Sequence, residues 1–146
     1  MRVVVITSWF LISLASCDRA PSYGTFEVAP DRAITVMFVR PNPILNSYHR
    51  TIQLRVGDGV MARASFTVQD RDDSAIRLFR VAPERFIAVG HTKRFEFRFD
   101  TVPVLLRETS PGAVDEPDRM LLGVFGRDRE RKWTFIPASE MVDQEP

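Results

Sequence analysis

Lys93-Arg94-Phe95-Glu96-Phe97-Arg98-Phe99-Asp100 is the stretch on which the fold turns. Its three phenylalanines alternate with charged residues. A two-residue period puts all three rings on one face of a strand and Glu96 and Arg98 on the other, whereas a helix would scatter the rings around its surface. The rings read as core, where each contributes about 1.5–3 kcal/mol when buried; an exposed binding platform is the competing reading.

The same period recurs on both sides. Thr51-Ile52-Gln53-Leu54-Arg55-Val56 repeats it, and residues 33–39 follow it less strictly. Further strand candidates are 25–28, 64–68, 76–81, 86–89, 120–125 and 133–136. Turn formers separate them: Ala29-Pro30-Asp31, Pro41-Asn42-Pro43, Gly57-Asp58-Gly59, Asp72-Asp73-Ser74 and Ala82-Pro83-Glu84. Short strands at this spacing predict an all-β sandwich or barrel of about eight strands. Residues 60–80 leave room for one short helix, through Met61, Ala62 and Ala64 or the run from Ser74 to Phe79. Thr109 to Asp118, with two prolines, a glycine and three acids, reads as a loop, and the tail from Ser139 is polar.

The N-terminus reads differently. Arg2 precedes a run from Val3 to Ala15 that is almost wholly apolar, which is the length of a signal-peptide core and too short to span a bilayer before Asp18 and Arg19. It ends in Leu14-Ala15-Ser16-Cys17, an aliphatic residue and two small ones before a cysteine, the lipobox pattern of bacterial lipoproteins. Small residues let the chain extend into a protease cleft, and the Cys17 thiol takes the diacylglycerol. Several acyl chains, at about 0.8 kcal/mol per buried methylene, make a stable anchor. The expected organisation is a signal peptide over 1–16, a lipidated tether over 17–23, a sandwich over 24–138 and a polar tail over 139–146.

Cys17 is the sole cysteine, so no disulfide within the chain is available and burial alone must hold the domain. The chain carries 20 basic and 19 acidic side chains, and removing Arg2 with the signal leaves 19 against 19. That balance gives no global field for nucleic acid. His49 and His91 are the only histidines and lack metal-ligand spacing. Counting from Asp70, the sixth and twelfth positions hold Ala75 and Val81, so an EF-hand loop fails. Gly57-Asp58-Gly59 lacks the lysine of a phosphate loop. Arg127-Asp128-Arg129-Glu130-Arg131-Lys132 alternates in sign and reads as the exposed tip of a hairpin, and Trp133 opens the last strand as core or as interface. No cofactor and no catalytic constellation is implied, which favours a non-enzymatic protein.

One loop stands apart. Pro41-Asn42-Pro43-Ile44-Leu45-Asn46-Ser47-Tyr48-His49 is long for a hairpin, is stiffened by two prolines and carries Ile44, Leu45 and Tyr48. Exposed, those side chains form a protein-binding patch with a low ordering cost; tucked under the sheet, they are core.

Several segments, in order, resemble the outer-membrane lipoprotein of type VI secretion systems, the TssJ family: the lipobox; a strand leading into Leu45-Asn46; Arg50-Thr51-Ile52-Gln53-Leu54; Ala64-Ser65-Phe66; Gly90-His91-Thr92 with the alternating strand after it; and Leu122-Gly123-Val124-Phe125 running through Arg127-Asp128 to Trp133. The resemblance implies a transthyretin-type β-sandwich. It implies a structural adaptor, held by lipid at the periplasmic face of the outer membrane, that binds the periplasmic domain of the inner-membrane scaffold protein. Its partner-binding residues would be Asn42, Ile44, Leu45, Asn46, Tyr48 and His49. Here only Ser47-Tyr48-His49 follow Leu45-Asn46, where the family has a longer segment, and residues 102–118 look like an insertion. Asp18 is the residue type that retains lipoproteins in the inner membrane of enterobacteria, so either membrane fits. The alternative function is that of another periplasmic protein- or ligand-binding sandwich lipoprotein.

Overall fold

The structure is a computed structural model that describes residues 20–39, 47–69, 75–110 and 119–141. Two antiparallel sheets face each other in a sandwich-like arrangement. The four-stranded sheet runs in sequence order: β1 (Ser22–Ala29), β2 (Arg32–Val39), β3 (Ser47–Val56) and β4 (Gly59–Gln69). The second sheet contains β5 (Ile76–Ala82), β6 (Arg85–Val89), β7 (Arg94–Arg98), β8 (Leu105–Thr109), β9 (Met120–Arg127) and β10 (Trp133–Pro137), in the order β10-β9-β5-β6-β7-β8. A four-residue helix, α1 (Ala138–Met141), follows.

The core is where the alternation puts it. Ile34 and Val36 of β2 and Ile52 and Leu54 of β3 meet Leu78, Phe86, Ala88, Phe95 and Phe97 of the facing sheet. Phe95, Phe97 and Phe99 are all buried, so the stripe is core, and Trp133 joins it. Aromatic rings bridge the layers, with Phe66 of β4 against Phe95 of β7 at 5.0 Å and Phe26 of β1 against Phe135 of β10 at 5.1 Å. At the β1/β10 side the layers close tightly: a Cβ on Gly24 would sit 2.8 Å from the Thr134 carbonyl carbon, so only glycine lets these backbones approach.

Five expectations change. The described residues form ten strands rather than about eight. Residues 61–64 and 76–79 lie in β4 and β5, and the one short helix is at Ala138–Met141 instead, within the stretch read as sandwich end and tail. β3 begins at Ser47, so Tyr48 and His49 belong to a strand rather than a loop: Tyr48 pairs with Val68 of β4, and His49 pairs with Val39 of β2 and Thr67 of β4. β1 begins at Ser22, inside the stretch read as tether, and Leu105–Thr109 of the supposed insertion is a strand paired with β7.

The register also orders the two ends of the sandwich. Ser22 pairs with Phe38, so the chain enters at the end where β2 gives way to residues 40–46. The β9–β10 hairpin turn lies at that same end, since Trp133, paired with Arg127, stacks on Phe38. At the opposite end the Gly57 N–H donates to the Asp31 carbonyl at 2.6 Å, joining two turns.

Candidate protein-binding end of the sandwich

Where β2 ends and β3 begins, the last inward-facing residues are unlike the aliphatic core below them. Alternation puts Phe38 in line with Ile34 and Val36, and Tyr48 and Arg50 in line with Ile52 and Leu54. The Phe38 ring stacks on Trp133, with centroids 5.1 Å apart and planes at 21°, and lies 4.9 Å from Tyr48. Arg50 is 1% exposed, an unusual place for a guanidinium. Its planar group lies 4.7 Å from the Trp133 ring centroid and 5.9 Å from that of Phe38, while Arg127 of β9 reaches Phe38 from outside, also at 5.9 Å. A desolvated cation over an aromatic face contributes about 2 kcal/mol, and arginine alone offers a flat cation that can also stack.

The result is a rigid plug of three rings and one buried cation, closed on the outside by Arg127. The Trp133 indole N–H is buried and has no hydrogen-bond partner among the described residues. Beside the plug, His49 is exposed on the outer face of β3, with Nδ1 3.0 Å from the Thr67 hydroxyl of the neighbouring strand. His91 is exposed in the bend after β6. The two histidines therefore sit on different sheets, and the one hydrogen bond seen at His49 is to a hydroxyl.

Of the residues expected to bind a partner, the structure describes Tyr48 and His49; Asn42, Ile44, Leu45 and Asn46 fall outside the described residues, as does Cys17. Tyr48 is 5% exposed and packs inward, so it supports the end rather than presenting itself to a partner, whereas His49 faces solvent. Phe38, Arg50, Trp133 and Arg127 were not read as a unit. The signal that finds them is Arg50 itself, a charge at an inward position two residues before Ile52.

A surface groove of about 480 Å³ runs between the β9–β10 turn and α1, lined by Asp128, Glu130, Thr134 and Glu140 among others. It is polar and open. Between the sheets, the described residues place the buried aromatic and aliphatic side chains of the core. No protein-family model, no curated protein and no solved structure matches the chain.

Proposed function

We propose that this chain is a lipid-anchored, non-catalytic adaptor of a type VI secretion membrane complex, binding the periplasmic domain of the inner-membrane scaffold protein through the end of the sandwich that carries residues 41–49. The observation that carries the reading is the aromatic–arginine plug. It fixes the strands on both sides of residues 40–46, with Val39 and His49 as a paired gatepost, so that a proline-stiffened apolar segment is held at both ends by rigid structure. The ordered sequence resemblance and the sandwich support it. Small-ligand binding is less well supported, since ligand sites are mostly apolar and concave and the groove beside α1 is polar and open.

The test is a pull-down of residues 18–146 with the scaffold protein's periplasmic domain, beside a variant carrying Leu45→Asp and His49→Ala. His49 faces solvent and lies outside the plug. Binding that the variant loses while remaining folded supports the adaptor role. Absence of binding at micromolar concentration by a folded wild type sinks it in favour of another periplasmic partner.

A further inference from the structure

The β9–β10 turn, Asp128-Arg129-Glu130-Arg131-Lys132, is a cationic tip whose acids are already engaged. The Asp128 N–H donates to the Lys132 carbonyl and the Arg131 N–H to the Asp128 carbonyl, each at 2.9 Å. The Asp128 carboxylate accepts the Lys132 N–H at 2.8 Å, and Glu130 accepts a bond from Lys132 Nζ at 2.6 Å. One acid therefore caps the turn and the other neutralises Lys132. Arg129 and Arg131 are exposed, and among the described residues no carboxylate pairs with either. Toward α1 the tip borders the groove lined by Asp128, Glu130 and Glu140, which repels anions, so the approach open to an anion is from the end of the sandwich.

The backbone adds a second observation. Arg131 has φ 62°, a left-handed conformation that glycine takes without strain and other residues rarely adopt. The turn thus carries a guanidinium where its geometry alone would favour glycine.

Tip and tether emerge side by side. β1 and β10 both run away from this end: Ser22 pairs with Phe38, Phe38 stacks on Trp133, and Gly24 packs against Thr134. Ser22 lies two residues before Gly24, and Lys132 two before Thr134, so the chain enters level with the turn. Cys17 is five residue steps further back, at most about 17 Å away. Tyr23, 53% exposed, stands at the same entry. Its amphipathic ring is of the kind that settles at a membrane–water boundary.

We infer that the tip is a membrane contact: Arg129 and Arg131 bind the phosphates of anionic phospholipids in the membrane that holds the Cys17 anchor, and so turn the plug end of the sandwich onto that surface. The inference rests on the proposed lipid anchor. One cation at an anionic lipid surface biases contact only about fivefold. A short tether makes that bias sufficient to orient the domain, because it holds the tip among the headgroups at high effective concentration.

The full chain, processed in a bacterial host and weighed to establish acylation of Cys17, would be reconstituted into vesicles of phosphatidylcholine alone or mixed with phosphatidylglycerol. Each would contain a dansyl-headgroup lipid. Trp133, beside the tip, is the only tryptophan after Trp9, so in the processed chain energy transfer from it reads the height of the tip above the headgroups. Transfer should be higher in the anionic vesicles and should fall when salt is raised from about 20 to about 500 mM. It should also fall in the double variant Arg129→Gln, Arg131→Gly, whose docked-to-free ratio drops about 25-fold. Glycine suits the backbone at 131, so the variant should unfold at an unchanged or higher urea concentration, which separates lost contact from lost fold. The charge-matched pair Arg55→Gln, Arg63→Gln on the exposed face of the four-stranded sheet should keep the transfer. Equal transfer in both kinds of vesicle, or an equal loss in the control pair, overturns the inference. So does loss of scaffold binding by the tip variant with transfer unchanged, which would make the tip a protein contact. Residues 18–146 contain every described strand and the core, so they can be held on nickel-chelating lipid by an N-terminal histidine tag and measured without Cys17. An unacylated Cys17 beside salt-sensitive transfer in this arm would remove the anchor and keep the tip's affinity for headgroups. Transfer insensitive to salt and to the tip variant would remove the membrane contact whatever Cys17 carries.

Discussion

Replacing Tyr48 with alanine separates support from recognition. The side chain is 5% exposed and its ring lies 4.9 Å from Phe38, which in turn stacks on Trp133. Truncating a buried aromatic costs about 3–5 kcal/mol, of which roughly 0.5–1.5 is the ring–ring term. With the site at one end of the sandwich, where neighbours can relax, about 3 kcal/mol is expected. Urea unfolding of residues 18–146 measures it. Trp133 is the only tryptophan in residues 18–146, so its fluorescence reports the plug directly. With a slope of about 1.5 kcal/mol/M, the midpoint falls by about 2 M. Tyr48→Phe, which keeps the ring, should cost about 1 kcal/mol or less. A midpoint shift under about 0.5 M for Tyr48→Ala would refute the argument, because it would mean that the ring is not packed against Phe38 in solution; full loss of partner binding alongside it would make Tyr48 a contact residue after all.

Trp133→Phe removes a buried donor that has no partner among the described residues, so the loss of ring area is partly offset and calorimetry should find a cost below about 1.5 kcal/mol. A larger cost would show that the indole N–H is bonded. Gly123→Ala should destabilise by about 2–3 kcal/mol in chemical unfolding, because its Cβ would fall 2.6 Å from Phe135 Cζ and inside contact distance of the Ile136 carbonyl oxygen; an unchanged midpoint would mean that β9 and β10 are not this close. Burial pulls the Glu96 pKa up, but the bonds from Arg85 and Arg107 outweigh it and hold the carboxyl below its usual value. A depressed folded-state pKa gives stability that is present above the unfolded carboxylate range, about 4.3, and lost as pH falls through the folded value. Glu96→Gln should therefore lower stability at pH 7 by about 1–2 kcal/mol, after discounting for the exposed arginines, and flatten the acid limb below about pH 4. Parallel pH–stability curves for the two proteins would rule out that linkage.

Much of the fold was legible because burial and alternation coincide. Residues 51–56 and 93–100 put their apolar members on one face, residues 33–39 do so less strictly, and each became a core strand. β8 was not legible, because Leu105-Leu106-Arg107-Glu108-Thr109 lacks alternation: it is an edge strand, half-covered on both faces. The supposed helix in 60–80 failed because Met61 and Ala62 suit helix and strand alike, and pairing with β3 decided between them. At the candidate site the obstacle was assigning polar residues by type. Glu96 alternates outward and so reads as solvated, yet it is 3% exposed, because arginines on both neighbouring strands close over it. Arg50 reads as a surface cation, yet cross-sheet rings enclose it. Both depend on partners distant in sequence, which periodicity does not register.

The pairing of Ser22 with Phe38 sets a working height. Five residue steps separate Cys17 from Ser22, a leash of at most about 17 Å. On the proposed anchoring, acyl chains on Cys17 would hold the end bearing the plug within that reach of the lipid headgroups, with the Asp31–Gly57 end turned away from them. A scaffold that gripped residues 41–49 would then work in a gap no wider than a helix or two. Lengthening the leash with a flexible insert would widen that clearance without touching a contact residue, so on this reading the spacing between membrane and partner is written into four residues, 18–21, that belong to neither the anchor nor the fold.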